Sequence, residues 1–323
     1  MVKDIDLKIK NQISESDRFL IVSHVRPDAD AAGSLLGLGL ALQSAGKTVQ
    51  MVLEDGAGKF VYLPGSDLIL QKPDGDFDMI IVVDCSDPDR VGEVLKDYGA
   101  PDLVVDHHKT NLNFGTINVV EPEQVATAAI LFDHLPAWGL EITPNVAACL
   151  LSGIVGDTIG FRTPNVNADV MRKAAALMDL GADLPDIYRS ELVQRPFQAI
   201  RYWGAGLSRL AREGGLVWTS LTLADREKIG YAGDDDADLV NVLSSVQDAE
   251  VALIFIEQPQ NKVKVSWRAR PHLDVSEIAF KFGGGGHAAA AGADIEGNLD
   301  DIIQRVIEET RNLIENQKTI RGV

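Results

Sequence analysis

The stretch MIIVVD, residues 79–84, is a run of aliphatic and β-branched residues that ends on an acid. A strand with one wet face alternates apolar with polar residues. A run that is apolar throughout belongs to a strand covered on both faces, as in a parallel sheet. FLIVSH at 19–24, TVQMVL at 48–53 and LVVDHH at 103–108 repeat the pattern, and helix-like stretches separate them. GSLLGLGLALQSAG at 33–46 reads as a buried helix stopped by Gly46, which can take a left-handed conformation. Segments 127–139 and 145–155 read as further helices and 168–180 as an amphipathic one. The alternation predicts an N-terminal doubly wound α/β domain with a mainly parallel sheet.

Beyond it the pattern changes. Residues 186–213 read as a helical connector, and the Glu213-Gly214-Gly215 break opens a second unit. Strands are predicted at LVWTSLTL, VALIFIEQ (251–258) and KVKVSWRA (262–269), the last two joined by a turn at Pro259-Gln260-Asn261. Asp274 and Glu277 have the spacing of a capping box for a short helix ending at Phe282, where Gly283 to Gly286 stop it. Apolar Ile302, Ile303, Val306, Ile307, Leu313 and Ile314 space an amphipathic tail helix. The chain therefore reads as a catalytic domain over 1–185, the connector over 186–213, and a smaller C-terminal α/β domain with a mixed sheet over 214–323.

Composition narrows the function classes. The 323 residues carry a formal charge of −18, which repels a long duplex nucleic acid and leaves short anionic substrates as partners. Two cysteines, Cys85 and Cys149, are too few for a disulfide framework and suit a reducing compartment. No apolar stretch approaches the roughly 20 residues that span a bilayer, so the chain reads as cytoplasmic with no membrane partner. The apolar helices at 33–46 and 127–139 leave a homodimer open. His134 reads as a surface or capping residue, and Trp267 as packing.

Four clusters of candidate ligands follow the predicted elements: Ser23-His24-Val25-Arg26-Pro27-Asp28-Ala29-Asp30, then Asp84, then Asp106-His107-His108, then Asp157. In open α/β sheets, ligands bind outside the carboxyl ends of the strands, where residues distant in sequence converge. Histidine nitrogens and several carboxylates, without a thiolate, suit manganese first, with magnesium or cobalt as alternatives. Four carboxylates gathered in one place need about two divalent cations to balance them. Alone, Asp-x-Asp after a strand is commonly a turn or cap. The order of the clusters and their strand-end positions carry the metal reading.

These residues resemble the DHH phosphoesterase superfamily, in its two-domain branch of nano-RNases, pAp phosphatases and cyclic dinucleotide phosphodiesterases. SHVRPDADAAGS, VVDCSD, VVDHHKTN and GIVGDTIGFRT look like its four N-terminal motifs, and VSWRAR through DVSEIAFKFGGGGHAAAAGA like the core of its associated C-terminal domain. The resemblance implies that His24, Asp28 and Asp84 hold one ion and Asp30, Asp84, His107 and Asp157 the other, with Asp84 bridging. It implies that His108 contacts the scissile phosphate and that Asp106 orients the histidines. Arg268 and the loop Gly283 to His287, including Gly284, Gly285 and Gly286, would bind substrate. Many relatives carry a polar residue after that histidine, where this chain has Ala288 to Ala291.

The implied activity is two-metal hydrolysis of short oligonucleotides and linear dinucleotides to mononucleotides, of pAp to AMP, or of both. Cyclic di-AMP or di-GMP hydrolysis is the alternative. A manganese pyrophosphatase is disfavoured because no Ser-Arg-Lys-Lys stretch occurs, and a non-catalytic sensor because all six ligands are present.

Overall fold

The computed structural model describes residues 2–321. The chain divides into two compact units, Met1–Gln194 and Arg195–Val323, and the division falls inside the segment read as the connector.

The first unit holds β1 (Arg18–Val22), β2 (Thr48–Val52), β3 (Ile69–Leu70), β4 (Met79–Val83), β5 (Leu103–Asp106) and β6 (Ile117–Val120). They form one sheet of order β3-β2-β1-β4-β5-β6, with every pair parallel. The chain builds outward from β1 to β3, then returns to the other side of β1 as β4. The order therefore reverses between β1 and β4, the place where open α/β sheets bind ligands. Phe19, Ile21, Ile81, Val83 and Val105 face the core shared with helices Ala29–Ser44, Thr127–His134 and Pro144–Asp157. Leu20, Val22, Ile80, Val82 and Val104 face a thinner core closed by Val91 and Val94 of the 3-10 segment Pro88–Leu95. Two covered faces explain why these strands read as unbroken apolar runs.

The helix read over 33–46 begins earlier, at Ala29, because Asp28 caps it by accepting from the N–H groups of Asp30 and Ala31, each at 3.0 Å. Most of its apolar residues are buried within the unit, as are most of those of Thr127–His134, so both helices turn their apolar faces to the core. The latter helix stops two residues before Pro136 rather than continuing to 139.

His134 is the clearest correction. The sequence reading assigned no helix to the N-terminus, yet Val2–Glu15 is helical and its Asp6 reaches His134. His134 is buried, with Nδ1 2.6 Å from Asp6 Oδ1 and Nε2 2.9 Å from Glu121 Oε1. Both ring nitrogens face carboxylates, so both must donate, and the Glu121 hydrogen bond leads in holding the imidazole pKa above its usual value.

The second unit contains β7 (Ala211–Glu213), β8 (Leu216–Leu221), β9 (Val251–Gln258), β10 (Lys262–Ala269), β11 (Gly285–His287) and β12 (Ala290–Glu296). Their order is β11-β12-β10-β9-β8-β7, and only β8 and β9 run parallel, which gives the mixed sheet. β9 and β10 match the predicted spans, and Gln260 and Asn261 turn between them with φ of 63° and 56°. Trp267 is wholly buried on the face covered by helix Leu299–Arg321.

Three local readings change. The connector is not one helix: Leu184–Tyr188 runs into a π-helical turn, Arg189–Val193, and a new helix, Phe197–Leu207, starts after Pro196. No capping box forms at Asp274; its carboxylate accepts from the Ser276 N–H at 2.9 Å and from the Ser276 hydroxyl, a local turn that leaves Val275 before helix Ser276–Lys281. The glycine run is no open loop either, since Gly285–His287 pairs antiparallel with β12. Among the described residues no helix is long and apolar enough to cross a membrane.

His134→Gln should lower stability by about 1.5–3 kcal/mol, the range for hydrogen bonds to charged groups. The raised folded pKa makes the wild-type advantage complete below about pH 6.5, the unfolded value, and lets it fade as pH rises through the folded value. Urea unfolding at pH 6 and at pH 10 measures this, with the gap between variant and wild type narrowing at the higher pH.

Candidate metal centre

All six candidate ligands lie at the carboxyl ends of the first unit's strands or on the two helices beside them. β1 delivers His24 and, through the turn that follows, Asp28 and Asp30. β4 delivers Asp84, which takes a left-handed conformation at φ 54° while its N–H donates to Val105 O at 2.9 Å. Aspartate tolerates that region better than most residues, and such outliers concentrate at functional sites. β5 delivers Asp106, His107 and His108, and helix Pro144–Asp157 ends on Asp157.

The side chains meet in three overlapping groups: His24, Asp28 and Asp84; Asp30, His107 and Asp157; and Asp84, His107 and His108. His24 Nε2 stands 3.9 Å from Asp28 Oδ2 and 3.7 Å from Asp84 Oδ2. His107 Nε2 stands 3.7 Å from Asp84 Oδ1 and 3.1 Å from Asp157 Oδ2. Asp84 thus faces His24 with one oxygen and His107 with the other.

Partners fix several of these groups. His24 Nδ1 lies 2.8 Å from Val25 O, a pure acceptor, so Nδ1 carries the proton and Nε2 keeps its lone pair for the centre. Asp106 accepts from His108 Nδ1 at 2.7 Å, from the His107 N–H at 2.9 Å and from Asn111 Nδ2 at 2.6 Å. Asp30 accepts from the N–H groups of Thr127 and Ala128 at 2.6 and 2.9 Å, and from Ser34 Oγ at 3.2 Å. The Thr127 hydroxyl donates to Asp84 Oδ1 at 3.0 Å. One helix start therefore holds two of the acids.

Close helix packing sets the rest. A Cβ at Gly153 would lie 2.6 Å from Asp30 Oδ1 and 2.7 Å from Ala128 Cβ, and one at Gly156 would collide with Ala29. Helices Ala29–Ser44 and Pro144–Asp157 touch where those side chains are missing, which brings Asp30 and Asp157 to the same histidine.

The electrostatics show what the donor set lacks. Asp30 and Asp84 are wholly buried, and burial leads in pushing the Asp30 carboxyl well up, helped by Asp84 and Asp157. Burial likewise raises Asp157, with Asp28 and Asp84 adding to it against His107. Asp84 goes down despite burial, because His24, His107 and His108 surround it. Burial alone would lower His107, but the Asp157 hydrogen bond and nearby acids hold its proton strongly. Without cations the cluster keeps protons to offset its own negative charge. Divalent ions fit that donor set and would take the protons' place.

The second unit holds the remaining candidates. Arg268 Nε donates to Asn241 Oδ1 at 3.1 Å and its NH1 to Trp267 O at 3.0 Å. Arg268 pairs with Ala290 across β10 and β12, and Ala290 pairs with His287 across β12 and β11. Arg268 and His287 thus flank a methyl group on one face of the sheet, and a larger residue at 290 would fill the space between them.

Ser34, Asn111 and Gly153 lie within the quoted motifs without a role assigned to them, and Thr127 and Asn241 lie outside those motifs. Thr127 sits between ordinary helix-forming residues, and only the fold brings it to Asp84.

The comparisons with known proteins agree with this geometry. The DHH family N-terminal domain matches residues 18–154 and the DHHA1 domain residues 223–312. The chain is 36% identical to the bifunctional oligoribonuclease and PAP phosphatase NrnA of Thermus thermophilus, over 90% of this chain and 88% of that protein. The chain belongs to the DHH family. This DHH-family chain is also 24% identical to the cyclic-di-AMP phosphodiesterase PdeA of Listeria monocytogenes, over 90% of its own length but 47% of that protein's. An exopolyphosphatase-related protein from Bacteroides fragilis has a similar structure, with a TM-score of 0.88 at 25% identity and 98% of each chain covered. The family is metal-dependent, and the His and Asp groups above are the candidate sites. The N-terminal match stops three residues short of Asp157, which the structure groups with Asp30 and His107.

Thr127→Val keeps the shape of the side chain and removes the donor to Asp84. It should weaken divalent-cation affinity by about 10- to 100-fold, the usual effect of losing a group that orients a ligand. Thr127→Ser should stay close to wild type. Calorimetric titration of the metal-free chains measures both.

Proposed function

We propose that this DHH-family phosphoesterase hydrolyses short oligonucleotides to mononucleotides and 3′-phosphoadenosine 5′-phosphate (pAp) to AMP, at a centre that holds two divalent cations. The near full-length identity of 36% to an oligoribonuclease and PAP phosphatase carries the reading. The converging carboxylates and histidines support it chemically. His24, Asp28 and Asp84 would hold one ion, and Asp30, Asp84, His107 and Asp157 the other, with manganese favoured by the mix of imidazole and carboxylate donors.

Bound ions of this kind supply Lewis acidity and lower the pKa of water so that hydroxide is available near neutral pH. The chain's own residues do the rest. Asp84 faces both groups of ligands, one oxygen to each, so this one carboxylate would contribute to holding both ions. Asp106 fixes the His108 ring through Nδ1 and, with Asp84, raises its pKa although burial opposes this. With Nδ1 held by Asp106, Nε2 is the ring nitrogen left to face the scissile phosphate, and when protonated it would donate as charge develops there. Arg268, His287 and the backbone of Gly284, Gly285 and Gly286 would receive the substrate's other phosphate or its base. The net charge of −18 disfavours long duplexes, and the free, buried Cys85 and Cys149 suit the cytoplasm.

The identity to PdeA gives a second reading, hydrolysis of cyclic dinucleotides. A panel with manganese separates the two: pAp, the dinucleotide pApA, a 5-mer and a 24-mer RNA, cyclic di-AMP and pyrophosphate. Fast turnover of pAp and the shortest RNAs, little of the 24-mer, and loss of activity in Asp84→Asn are expected. Cyclic di-AMP as the best substrate would favour the second reading, and equal rates on every RNA length would contradict the first.

A further inference from the structure

A buried polar relay lies away from the ligand cluster, on the segment that leads out of the first unit. Glu191, in the π-helical turn Arg189–Val193, is buried, and its Oε2 accepts from the Tyr62 hydroxyl at 2.8 Å. Its other oxygen pairs with Lys59 Nζ at 3.2 Å. Tyr62 Oη also lies 2.8 Å from Ser152 Oγ. Tyr62 has one proton and gives it to the carboxylate, so Ser152 must donate to Tyr62. Ser152 is wholly buried on helix Pro144–Asp157, five residues before Asp157. Placing a carboxylate, a phenol and a hydroxyl in line within a core is costly unless every member is satisfied, and a satisfied line fixes one arrangement.

The same segment grips the far side of Asp157. Past that residue the chain turns through Ile159, Gly160 and Phe161, all left-handed, with φ of 49°, 67° and 65°. Ile159 and Phe161 gain nothing locally from that conformation, which persists only where the surroundings enforce it. A Cβ at Gly160 would stand 2.5 Å from Tyr188 Cε2 and 2.9 Å from Leu192 Cδ1, so the turn is seated against residues on either side of Glu191 in the chain. Asp157 is thus bracketed, by Ser152 on its helix and by Gly160 on the turn, and one segment holds both brackets.

We propose that Glu191 and Tyr62 are positioning residues for Asp157, and that through Ser152 and the seat of Gly160 they set the cation affinity of the Asp30, His107 and Asp157 group. The proposal rests on the reading of Asp157 as a cation ligand. It makes residues 184–193, which enter the second unit directly, part of what tunes the metal centre.

Manganese titration of the metal-free full chain tests this. Tyr62→Phe and Glu191→Leu should each weaken by about tenfold the binding step that Asp157→Asn also weakens, at the lower end of effects for groups that orient a ligand. The double variant should be no weaker than either single one. Glu191→Gln keeps an acceptor for Tyr62 and should lie within about twofold of wild type by the same measure; it also serves if Glu191→Leu fails to fold. Below saturation in manganese kcat should fall while the substrate KM is unchanged, and saturating manganese should bring kcat back close to wild type. Wild-type affinity in Tyr62→Phe with only a lower Tm would overturn the proposal and leave the relay structural. A wild type whose manganese binding is unaffected by Asp157→Asn would instead contradict the metal-centre reading, and the proposal with it.

Discussion

Three aspartates, Asp30, Asp84 and Asp157, converge on one histidine, His107, and two of the three are wholly buried. Buried like charges this close are tolerated only with protons or cations among them. The rest of the first unit follows from that constraint. The reversal of strand order between β1 and β4 creates the crevice. The glycine contacts between helices bring Asp30 and Asp157 together, and the start of helix Thr127–His134 supplies donors that hold Asp30 and Asp84 without neutralising them.

The chemistry is divided between the units. The first concentrates negative charge and imidazole, which suits cations and the hydrolytic step. The second offers Arg268 and His287 on either side of Ala290 in a mixed sheet. On the proposed function, activation of water would rest on the first set of residues and selection of substrate on the second, and the chain is similar over most of its length to relatives named for different substrates.

Much of the fold was legible because the parallel strands are covered on both faces and so read as unbroken apolar runs, as at 79–84. β9 and β10 were legible to the residue because a hairpin turn fixes both ends. What escaped were features with no local pattern. β3 has two residues, and His134 looked exposed because its partner Asp6 lies 128 residues away. The N-terminal helix did carry a pattern, Ile5, Ile9 and Ile13 at helical spacing, among many charged residues. The ligands were legible as strand-end acids and histidines. Thr127 and Gly153 were not, since an ordinary threonine and glycine gain meaning only from what the fold sets against them. The glycine run misled because four glycines suggest an open loop, whereas Gly285 and Gly286 pair with β12 and a Cβ at Gly284 or Gly286 would collide with that strand.

The central claim is that six residues, His24, Asp28, Asp30, Asp84, His107 and Asp157, hold two catalytic cations. Anomalous diffraction at the manganese edge, from crystals of the active protein equilibrated with manganese, tests it most directly. The account predicts two peaks on either side of Asp84, each within coordination distance of its set of ligands. Absence of any peak among these residues in protein that hydrolyses its substrate would contradict it.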